Sequence, residues 1–155
     1  MRENKYVAFI QTPIGNLKII ADDNAVTEIL FDAEKTSEES TNKIIEQCKR
    51  ELAEYFVGKR KEFTVPLNQK GSEFQKKVWD ELQKIPYGKT VSYGYVAEKI
   101  GGKNMMRAVG GANKRNRIPI IVPCHRVIGS NGSLVGYAGG LWRKEWLLEH
   151  ERKWK

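Results

Sequence analysis

SYGYVAEKIGGKNMMRAVGGAN, residues 92–113, decides how the second half of this chain folds. Ser92 is a residue type that caps helix N-termini, and the apolar residues that follow it recur at helical spacing. Gly101 and Gly102 then supply a tight turn, and another helix is predicted over about residues 104–113. A helix, a short glycine turn and a second helix indicate a helix-turn-helix or winged-helix unit.

Positive charge is concentrated around this stretch. The net charge of the 155 residues is +8, but residues 1–66 hold 10 Lys and Arg against 12 Asp and Glu, whereas residues 67–155 hold 17 against 7. No acidic residue lies between Glu98 and Glu145, where nine cations occur: Lys99, Lys103, Arg107, Lys114, Arg115, Arg117, Arg126, Arg143 and Lys144. A solubilising surface is the plain explanation. Charge of one sign around a helix-turn-helix favours a polyanion partner, most simply nucleic acid.

The remaining composition is that of a globular protein. The chain is 40% hydrophobic and 30% charged, and it is long enough for one domain or two small ones. No apolar run approaches the roughly 20 residues that a membrane span needs, so no membrane association is expected. The N-terminus has no signal-peptide core, and two cysteines make no disulfide framework. These features predict a cytoplasmic protein with reduced thiols.

The first 66 residues predict a small α/β unit. Residues 5–31 contain three apolar, partly β-branched runs separated by turn residues, which indicates an antiparallel meander. A helix over residues 41–57 has Thr41 as its expected cap and Cys48 on its apolar stripe, so Cys48 is interpreted as a core residue. Residues 63–67 are compatible with a short edge strand.

The fold predicted for the whole chain is α+β with two domains. Residues 1–68 would form the antiparallel sheet with its single helix, and residues 69–155 a mostly helical, winged-helix-like domain. Besides the helix-turn-helix, the second domain should contain a helix that Ser72 caps and a closing helix over residues 141–151. That last helix is expected to be amphipathic, and its apolar side consists of Leu141, Trp142, Trp146, Leu147 and Leu148.

A candidate nucleophile follows the helix-turn-helix, in the run Ile120-Ile121-Val122-Pro123-Cys124-His125-Arg126-Val127-Ile128-Gly129. A thiol beside an imidazole can be activated as a nucleophile. Neighbours in an extended strand point to opposite faces, so a bend after Pro123 is needed for His125 to serve the thiol. A buried cysteine beside a hydrogen-bonded histidine is the alternative. A thiol hydrolase would also need an acyl site and an orienting Asn or Asp, and the Cys and His spacing fits no zinc site.

Four motifs, in order, resemble the O6-alkylguanine-DNA alkyltransferases, also called methylated-DNA–protein-cysteine methyltransferases. The motifs are Ser92-Tyr93, Arg107-Ala108-Val109-Gly110-Gly111-Ala112 with Asn116, Pro123-Cys124-His125-Arg126-Val127, and Tyr137-Ala138-Gly139-Gly140 followed by Lys144-Glu145-Trp146-Leu147-Leu148. The similarity runs from about Ser72 to Glu151, and the first 70 residues match only in general character.

The resemblance implies a reaction and catalytic roles. Such proteins remove an alkyl group from O6 of guanine, and by extension from O4 of thymine, in duplex DNA and transfer it irreversibly to their own cysteine. Cys124 would be the acceptor, His125 its base through a water, and Glu151 the residue that orients the histidine. Asn116 would tie the recognition helix to the active-site segment, and Tyr93 would give a proton to guanine N3. The thioether product cannot be hydrolysed by a base in the site, so each protein acts once.

The same resemblance implies how DNA is bound. The minor groove would contact the recognition helix, and the damaged base would be flipped out, at a cost of a few kcal/mol. Tyr93 would help to rotate the nucleotide, and Arg107 would fill the gap left in the stack. The implied DNA-binding residues are Tyr93, Arg107, Ala108, Gly110, Gly111 and Arg115. The implied pocket residues are Val127, Val135, Gly136, Tyr137, Ala138 and Gly139. Double-stranded DNA with O6-alkylguanine is the expected partner of a monomer that uses no cofactor.

Three departures from the family pattern qualify these expectations. Met105 and Met106 precede Arg107 where relatives often have small residues, so they would either change the groove contact or pack beneath the helix. Ala138 stands where several relatives carry Ser, which removes one possible hydrogen bond to guanine O6. No Cys or His precedes Cys48, so the structural zinc of some relatives is not expected. A lesion sensor without transfer is the rival function, and the presence of Cys124 counts against it.

Overall fold

The structure is a computed structural model that describes residues 4–34, 39–134 and 136–155. The chain divides into two compact units, Met1–Lys70 and Gly71–Lys155. In the part of the chain that is described, no helix combines the length and apolar character needed to cross a membrane. Within those same residues, no group of three or more His, Cys, Asp or Glu side chains is placed to hold a metal ion.

The first unit contains the predicted antiparallel meander. Its strands are β1 (Tyr6–Thr12), β2 (Gly15–Ala21) and β3 (Val26–Phe31), in the spatial order β1-β2-β3. Thr12 shapes the first hairpin, because its hydroxyl accepts a hydrogen bond from the Ile14 amide at 3.1 Å and donates to the Gly15 carbonyl at 2.7 Å. Three consecutive residues are buried in β1, Val7–Phe9, and three in β2, Ile19–Ala21, so the sheet has covered side chains on both faces.

Helix α1 (Lys43–Phe56) packs against this sheet and buries Cys48 completely, as the sequence predicts. Its cap is Asn42, and the prediction of Thr41 is wrong. The Asn42 side-chain oxygen accepts from the Ile45 amide at 2.9 Å, while its NH₂ group donates to the Asp22 carbonyl at 3.0 Å. An amide side chain can make both bonds at once, which lets Asn42 start the helix and join it to the turn before β3.

Residues 63–67 do not form the predicted edge strand. They make only an isolated bridge between Val26 and Leu67. The buried carboxylate of Glu51 accepts the Thr64 and Val65 amides at 2.9 and 3.1 Å, so these donors are not available to a strand. Pro66 has no amide proton at all. Hydrogen bonds to the Glu51 side chain of α1 therefore hold this segment, and it does not pair along the edge of the sheet.

The second unit begins with three helices that confirm the predicted helix-turn-helix. Helix α2 (Glu73–Leu82) starts at Ser72, which forms a capping box with Gln75. Helix α3 (Tyr93–Ile100) is capped by Ser92, and α4 (Met106–Lys114) follows after a 3₁₀ turn at Lys103–Met105. The Trp79 indole of α2 donates to the Ala112 carbonyl at 2.9 Å, which fixes α4 against α2.

The last part of this unit brings the active-site segment to the start of α3. Strand β4 (Val91–Ser92) pairs in parallel with β5 (Val127–Ile128), and a 3₁₀ turn at Cys124–Arg126 precedes β5. Helix α5 (Leu141–Lys153) closes the unit. Leu147 of the apolar side is buried, but Leu141 and Trp142 are about half exposed, at 49% and 54%, so the apolar side is not buried throughout. The buried residues of this first turn are Arg143 and Lys144.

Candidate active site

The chain bends sharply at Pro123, immediately before the candidate nucleophile. Pro123 has φ −82° and ψ 64°, the geometry of an inverse γ-turn, and the Cys124 amide donates to the Val122 carbonyl at 2.8 Å. The following 3₁₀ turn is closed by the Arg126 amide, which donates to the Pro123 carbonyl at 3.0 Å. The two consecutive turns provide the bend that an extended strand would lack.

Two asparagines join the recognition helix α4 to this bend. The Asn116 NH₂ group donates to the Val122 carbonyl at 2.7 Å, and its oxygen accepts the Ile118 amide at 3.0 Å. Asn113, on α4 itself, donates to the Cys124 carbonyl at 3.3 Å. Asn116 thus connects the segment after α4 to the residue before Pro123, and its role in the reaction stays a prediction. Asn113 was not found by sequence reasoning, although its place one turn before Asn116 puts it on the same side of the chain.

Ile120 holds an uncommon backbone conformation beside the bend. Its φ is +77° and its side chain is buried. A β-branched residue in the left-handed region is strained, typically by about 1–3 kcal/mol. Its neighbours hold it in place, since the Val122 amide donates to the Ile118 carbonyl at 2.9 Å across it. Strain of this size persists only where the surrounding contacts determine the backbone.

His125, Arg126 and Glu151 form a buried network behind Cys124. The Glu151 carboxylate lies 2.7 Å from His125 Nε2 and accepts two hydrogen bonds from Arg126, at 2.8 and 2.9 Å. The Gly88 amide donates to the same carboxylate at 3.2 Å. Arg126 also donates to the Ile85 carbonyl at 2.7 Å. Sequence reasoning named His125 and Glu151 but missed the structural position of Arg126.

This network determines the protonation of the histidine. Burial alone would raise the pKa of Glu151, but His125 and Arg126 together hold it well below its usual range, so the carboxylate is ionised. Burial lowers the pKa of His125, against the opposing effect of Glu151. A neutral His125 that donates from Nε2 to Glu151 leaves Nδ1 as a proton acceptor, and Nδ1 has no hydrogen-bond partner among the described residues.

Cys124 is buried, with 4% of its surface exposed. Burial raises the pKa of its thiol to about 11, while the Asn116 side chain and the Lys144 ammonium act in the opposite direction. Lys144 is itself fully buried, and its Nζ donates to the Val127 carbonyl at 2.6 Å. A buried cation near the sulfur favours the thiolate, which is the nucleophilic form. Sequence reasoning named Lys144 in the basic tract and in the fourth motif but gave it no role at the thiol.

Two tyrosines lie close enough to Cys124 to respond to its charge. Tyr93, the first residue of α3, is partly buried, and Lys144 Nζ lies 6.0 Å from the centre of its ring. Burial and the neighbouring Cys124 raise the pKa of Tyr93, and Tyr137 is raised further because it is more deeply buried. Both phenols therefore keep their protons near neutral pH and are able to donate hydrogen bonds.

The exposed side of α4 presents the residues expected to contact DNA. Arg107 is exposed and forms no hydrogen bond or ion pair with the described residues, and Ala108 is exposed beside it. A Cβ at Gly110 would meet no atom within 4 Å, and one at Gly111 would meet only the Arg115 guanidinium at 3.8 Å. The internal packing of the chain therefore does not require either glycine.

The basic tract is divided between surface and interior. Three of its nine cations, Arg126, Arg143 and Lys144, are buried. The other six are exposed: Lys99, Lys103, Arg107, Lys114, Arg115 and Arg117.

Met106 is 39% exposed, and its sulfur lies 3.7 Å from where a Cβ of Gly94 would stand. Its side chain thus reaches towards α3 while part of it stays on the surface.

The implied pocket residues differ in their burial. Val127, Tyr137 and Gly139 are buried, whereas Gly136 and Ala138 are exposed. Val135, which the resemblance also assigns to the pocket, lies outside the described residues. The Gly140 amide donates to the Tyr137 carbonyl at 2.9 Å, so residues 137–140 form a closed turn directly before α5.

Comparison with known proteins assigns both units to one family. Residues 5–69 match the family model of the 6-O-methylguanine DNA methyltransferase ribonuclease-like domain, and residues 73–153 match that of its DNA-binding domain. The methylated-DNA–protein-cysteine methyltransferase (constitutive) of Bacillus subtilis is 43% identical over 157 residues, covering 95% of each chain. That of Methanosarcina acetivorans is 45% identical, covering 94% of this chain and 97% of the relative.

Similarity to solved structures supports the same assignment. The O6-methylguanine methyltransferase of Mycobacterium tuberculosis superposes with a TM-score of 0.88 at 39% identity, covering 98% of this chain and 95% of that one. A structure of the Mycobacterium tuberculosis protein in complex with DNA gives a TM-score of 0.88 at 40% identity, covering 96% and 94% of the two chains. The α+β fold is thus confirmed over nearly the whole length.

Proposed function

The chain belongs to the 6-O-methylguanine DNA methyltransferase family, and from this premise we propose that it repairs DNA by moving an alkyl group from guanine O6 irreversibly to its own Cys124. The observation that carries this proposal is the position of the thiol. Cys124 stands on two consecutive turns that asparagines of the recognition-helix region hold in place, with a buried histidine–carboxylate pair behind it.

The transfer is a displacement at an sp³ carbon, so it needs no oxyanion hole. The Cys124 sulfur forms a bond to the alkyl carbon while the bond from that carbon to guanine O6 breaks. The thiol proton passes through a water to His125 Nδ1, because Nε2 is engaged with Glu151. Guanine leaves as the neutral base after Tyr93 protonates N3, and Tyr93 regains a proton from His125. The net products are a thioether and guanine.

We propose that the reacting base is flipped out of the duplex. Guanine O6 lies on the major-groove edge of the base, whereas the recognition helix is proposed to bind the minor groove and the Cys124 thiol is buried, so the sulfur cannot reach the alkyl carbon while the duplex stays intact. Arg107, which is exposed on α4, would occupy the gap in the stack. Gly110 and Gly111 would let the helix approach the minor-groove backbone, and Ala108 and Arg115 would contact it beside them.

Base flipping can be measured with 2-aminopurine placed at the lesion position, because its fluorescence rises when it leaves the stack. We expect binding of the wild-type protein to raise the fluorescence and Arg107→Ala to lose most of that rise. Lys103→Ala removes an exposed charge from the turn before α4 and serves as the matched control. An equal loss in both variants would mean that Arg107 contributes only charge.

The proposed substrates are O6-alkylguanine and O4-alkylthymine in double-stranded DNA. Both carry the alkyl carbon on an exocyclic oxygen, so the same displacement applies. The pocket would be lined by Val127, Tyr137, Ala138 and Gly139, with Gly136 beside them. Separate duplexes with one lesion each would test both substrates. Absence of transfer from O4-methylthymine would restrict the activity to guanine.

The proposed working form is a cytoplasmic monomer with two domains, residues 1–68 and residues 69–155. All residues assigned to the reaction lie in the second domain. Light scattering on the free protein and on its complex with a duplex would test the monomer. A dimer in the free protein would contradict it.

Intact mass spectrometry tests the central proposal. Incubation with duplex DNA that contains O6-methylguanine should add one methyl group per protein, on the peptide that contains Cys124. The yield should stop at one equivalent, since the thioether is not reversed. No gain of mass by folded protein would overturn the proposal, and so would undiminished transfer by Cys124→Ala.

A further inference from the structure

The first turn of α5 contains two buried cations in an unfavourable place. Arg143 is 5% exposed and Lys144 is fully buried. The turn has no acidic residue, and Gly140 at the N-cap makes no side-chain capping bond. The N-terminus of a helix carries partial positive charge, so it disfavours further cations, and burial adds a desolvation cost. Two such residues side by side indicate a task other than folding stability.

Each cation donates to a carbonyl of a different pocket segment. Arg143 donates from its guanidinium to the Gly139 carbonyl at 2.9 Å. Lys144 donates to the Val127 carbonyl at 2.6 Å. Gly139 belongs to the turn before α5, and Val127 follows directly after the Cys124 turn. Adjacent residues of one helix therefore hold the two backbone segments between which the alkyl group must lie.

Arg143 is fixed in turn by its own surroundings. Its guanidinium carbon lies 4.5 Å from the centre of the Trp142 ring, and its amide donates to the Gly140 carbonyl at 3.2 Å. A Cβ at Gly140 would approach the Trp142 ring to 3.4 Å, so the ring lies against the backbone at the end of the loop. Burial raises the pKa of Tyr137, and the Arg143 charge acts against this rise, so the guanidinium lies near the buried phenol of the same turn.

We propose that Arg143 is a positioning residue that sets which O6-alkyl groups the site accepts. It would do so by fixing the Gly139 carbonyl and, with it, the wall of the pocket formed by residues 137–139. Lys144 holds the opposite segment, so the distance between the segments is set from one rigid helix. This inference rests on the proposed function, because it concerns the selectivity of that same transfer.

The expected consequence is a change of selectivity. Without the bond to the Gly139 carbonyl, the turn gains freedom, and bulky groups are admitted more readily than in the wild-type protein. Methyl transfer gains nothing from the extra space and loses some positioning. The ratio of the transfer rate for O6-benzylguanine to that for O6-methylguanine should therefore rise by about tenfold or more, the range that pocket contacts give for small changes in substituent size.

The test compares Arg143→Met with the wild-type protein on one duplex that carries either lesion. Methionine keeps much of the stem volume but cannot donate to Gly139. Arg152→Met is the matched control, since Arg152 lies on the same helix in an exposed ion pair with Glu149. It should leave the ratio unchanged. Arg143→Lys keeps the charge with a shorter reach, should give an intermediate ratio, and decides the question if Arg143→Met fails to fold.

The outcomes separate this inference from the proposed function. No transfer by the wild-type protein would overturn the proposed function itself. Normal wild-type transfer with an unchanged benzyl-to-methyl ratio in folded Arg143 variants would overturn only the positioning role. Loss of both rates by the same factor would also overturn it, because a purely structural role for Arg143 predicts that result.

Discussion

Glu151 accepts hydrogen bonds from three residues in two parts of the chain through one carboxylate. His125 and Arg126 come from the active-site turn, and the Gly88 amide comes from the loop between α2 and β4. A buried carboxylate with four donors is well satisfied, whereas each donor left without it would be a buried polar group lacking a partner. At the scale of the residue, Glu151 therefore affects both the protonation of His125 and the stability of the fold.

We expect Glu151→Gln to destabilise the protein by about 3–5 kcal/mol, because it leaves the buried Arg126 guanidinium without its counter-charge. Methyl transfer by the remaining folded protein should slow as well, since a glutamine has one acceptor oxygen and cannot replace both carboxylate oxygens that His125 and Arg126 use. Urea unfolding and single-turnover kinetics measure the two effects. Glu149→Gln, at an exposed position on the same helix, is the matched control and should leave both unchanged. Equal stability of the two variants would contradict the buried network.

Lys144 should give the protein a distinct dependence of stability on pH. Burial lowers its pKa to about 8, whereas its value in the unfolded chain is near 10.4. Above about pH 8 the unfolded chain therefore binds more protons at Lys144 than the folded protein does, so the contribution of Lys144 to the free energy of unfolding rises with pH. Below about pH 8, Lys144 stays protonated in the folded protein although burial disfavours its charged form.

Denaturant unfolding between pH 7 and pH 9 tests this expectation. Burial also raises the pKa of the Cys124 thiol to about 11 and that of Cys48 to about 12, so both cysteines oppose the effect of Lys144 from their unfolded pKa of about 8.5 upward. The contribution of Lys144 is therefore the difference between the wild-type and Lys144→Met profiles. We expect the free energy of unfolding of the wild-type protein to rise with pH relative to that of Lys144→Met. Lys153→Met, an exposed change at the other end of α5, should keep that rise. Parallel pH profiles for all three proteins would show that Lys144 has the same pKa folded and unfolded.

At the scale of the element, α4 contains two adjacent glycines, Gly110 and Gly111, that the packing of the chain does not require. We expect Gly110→Ala to stabilise the free protein by about 0.5–1 kcal/mol, because alanine is the better helix former and its Cβ meets no neighbour. The same methyl group should weaken binding to duplex DNA. Thermal unfolding and a fluorescence titration measure the two effects, whose opposite signs exclude misfolding as the cause. Undiminished DNA binding would show that DNA does not approach the helix at this glycine.

The helices and strands were largely predictable because local signals specify them. Ser72 and Ser92 are strong caps, and the period of the apolar residues located the three strands and α1–α4. The failures have long-range causes. Asn42 displaces Thr41 as a cap because it also binds Asp22, 20 residues away. The predicted strand over residues 63–67 is prevented by Glu51 of α1, which takes its amides.

Helix α5 shows where periodicity misleads at the active site. The pattern places Leu141 and Trp142 on the apolar side, yet Arg143 and Lys144 are the buried residues of that turn. Their burial depends on the Gly139 and Val127 carbonyls, which no local pattern reveals. The motif around Cys124 was recognisable as a set of residue types. The inverse γ-turn at Pro123 and the burial of Arg126 could not be predicted from the sequence, because they depend on backbone angles and on contacts between residues 25 or more positions apart.

At the scale of the whole molecule, burial of three cations limits how strongly DNA binding can depend on salt. Six cations of the basic tract are exposed, and each neutralised phosphate contributes about 0.9 to the slope of log K against log salt. We therefore expect a slope no steeper than about −5. Lys59→Gln, in an exposed turn of the first unit, should leave the slope unchanged. A clearly steeper slope would show that cations outside the tract also bind DNA.

The position of Glu151 along the chain also bears on biosynthesis. It comes after Tyr93, Asn116 and Cys124, and the contacts that complete the site connect it back to His125 and Gly88. Translation proceeds from the N-terminus, so the ribosome releases Cys124 before the helix that carries Glu151. In a nascent chain, Cys124 is therefore present before the contacts of Glu151 with His125 and Gly88 have formed. Under the proposed single-turnover reaction, this order would delay competence for alkyl transfer until α5 has folded.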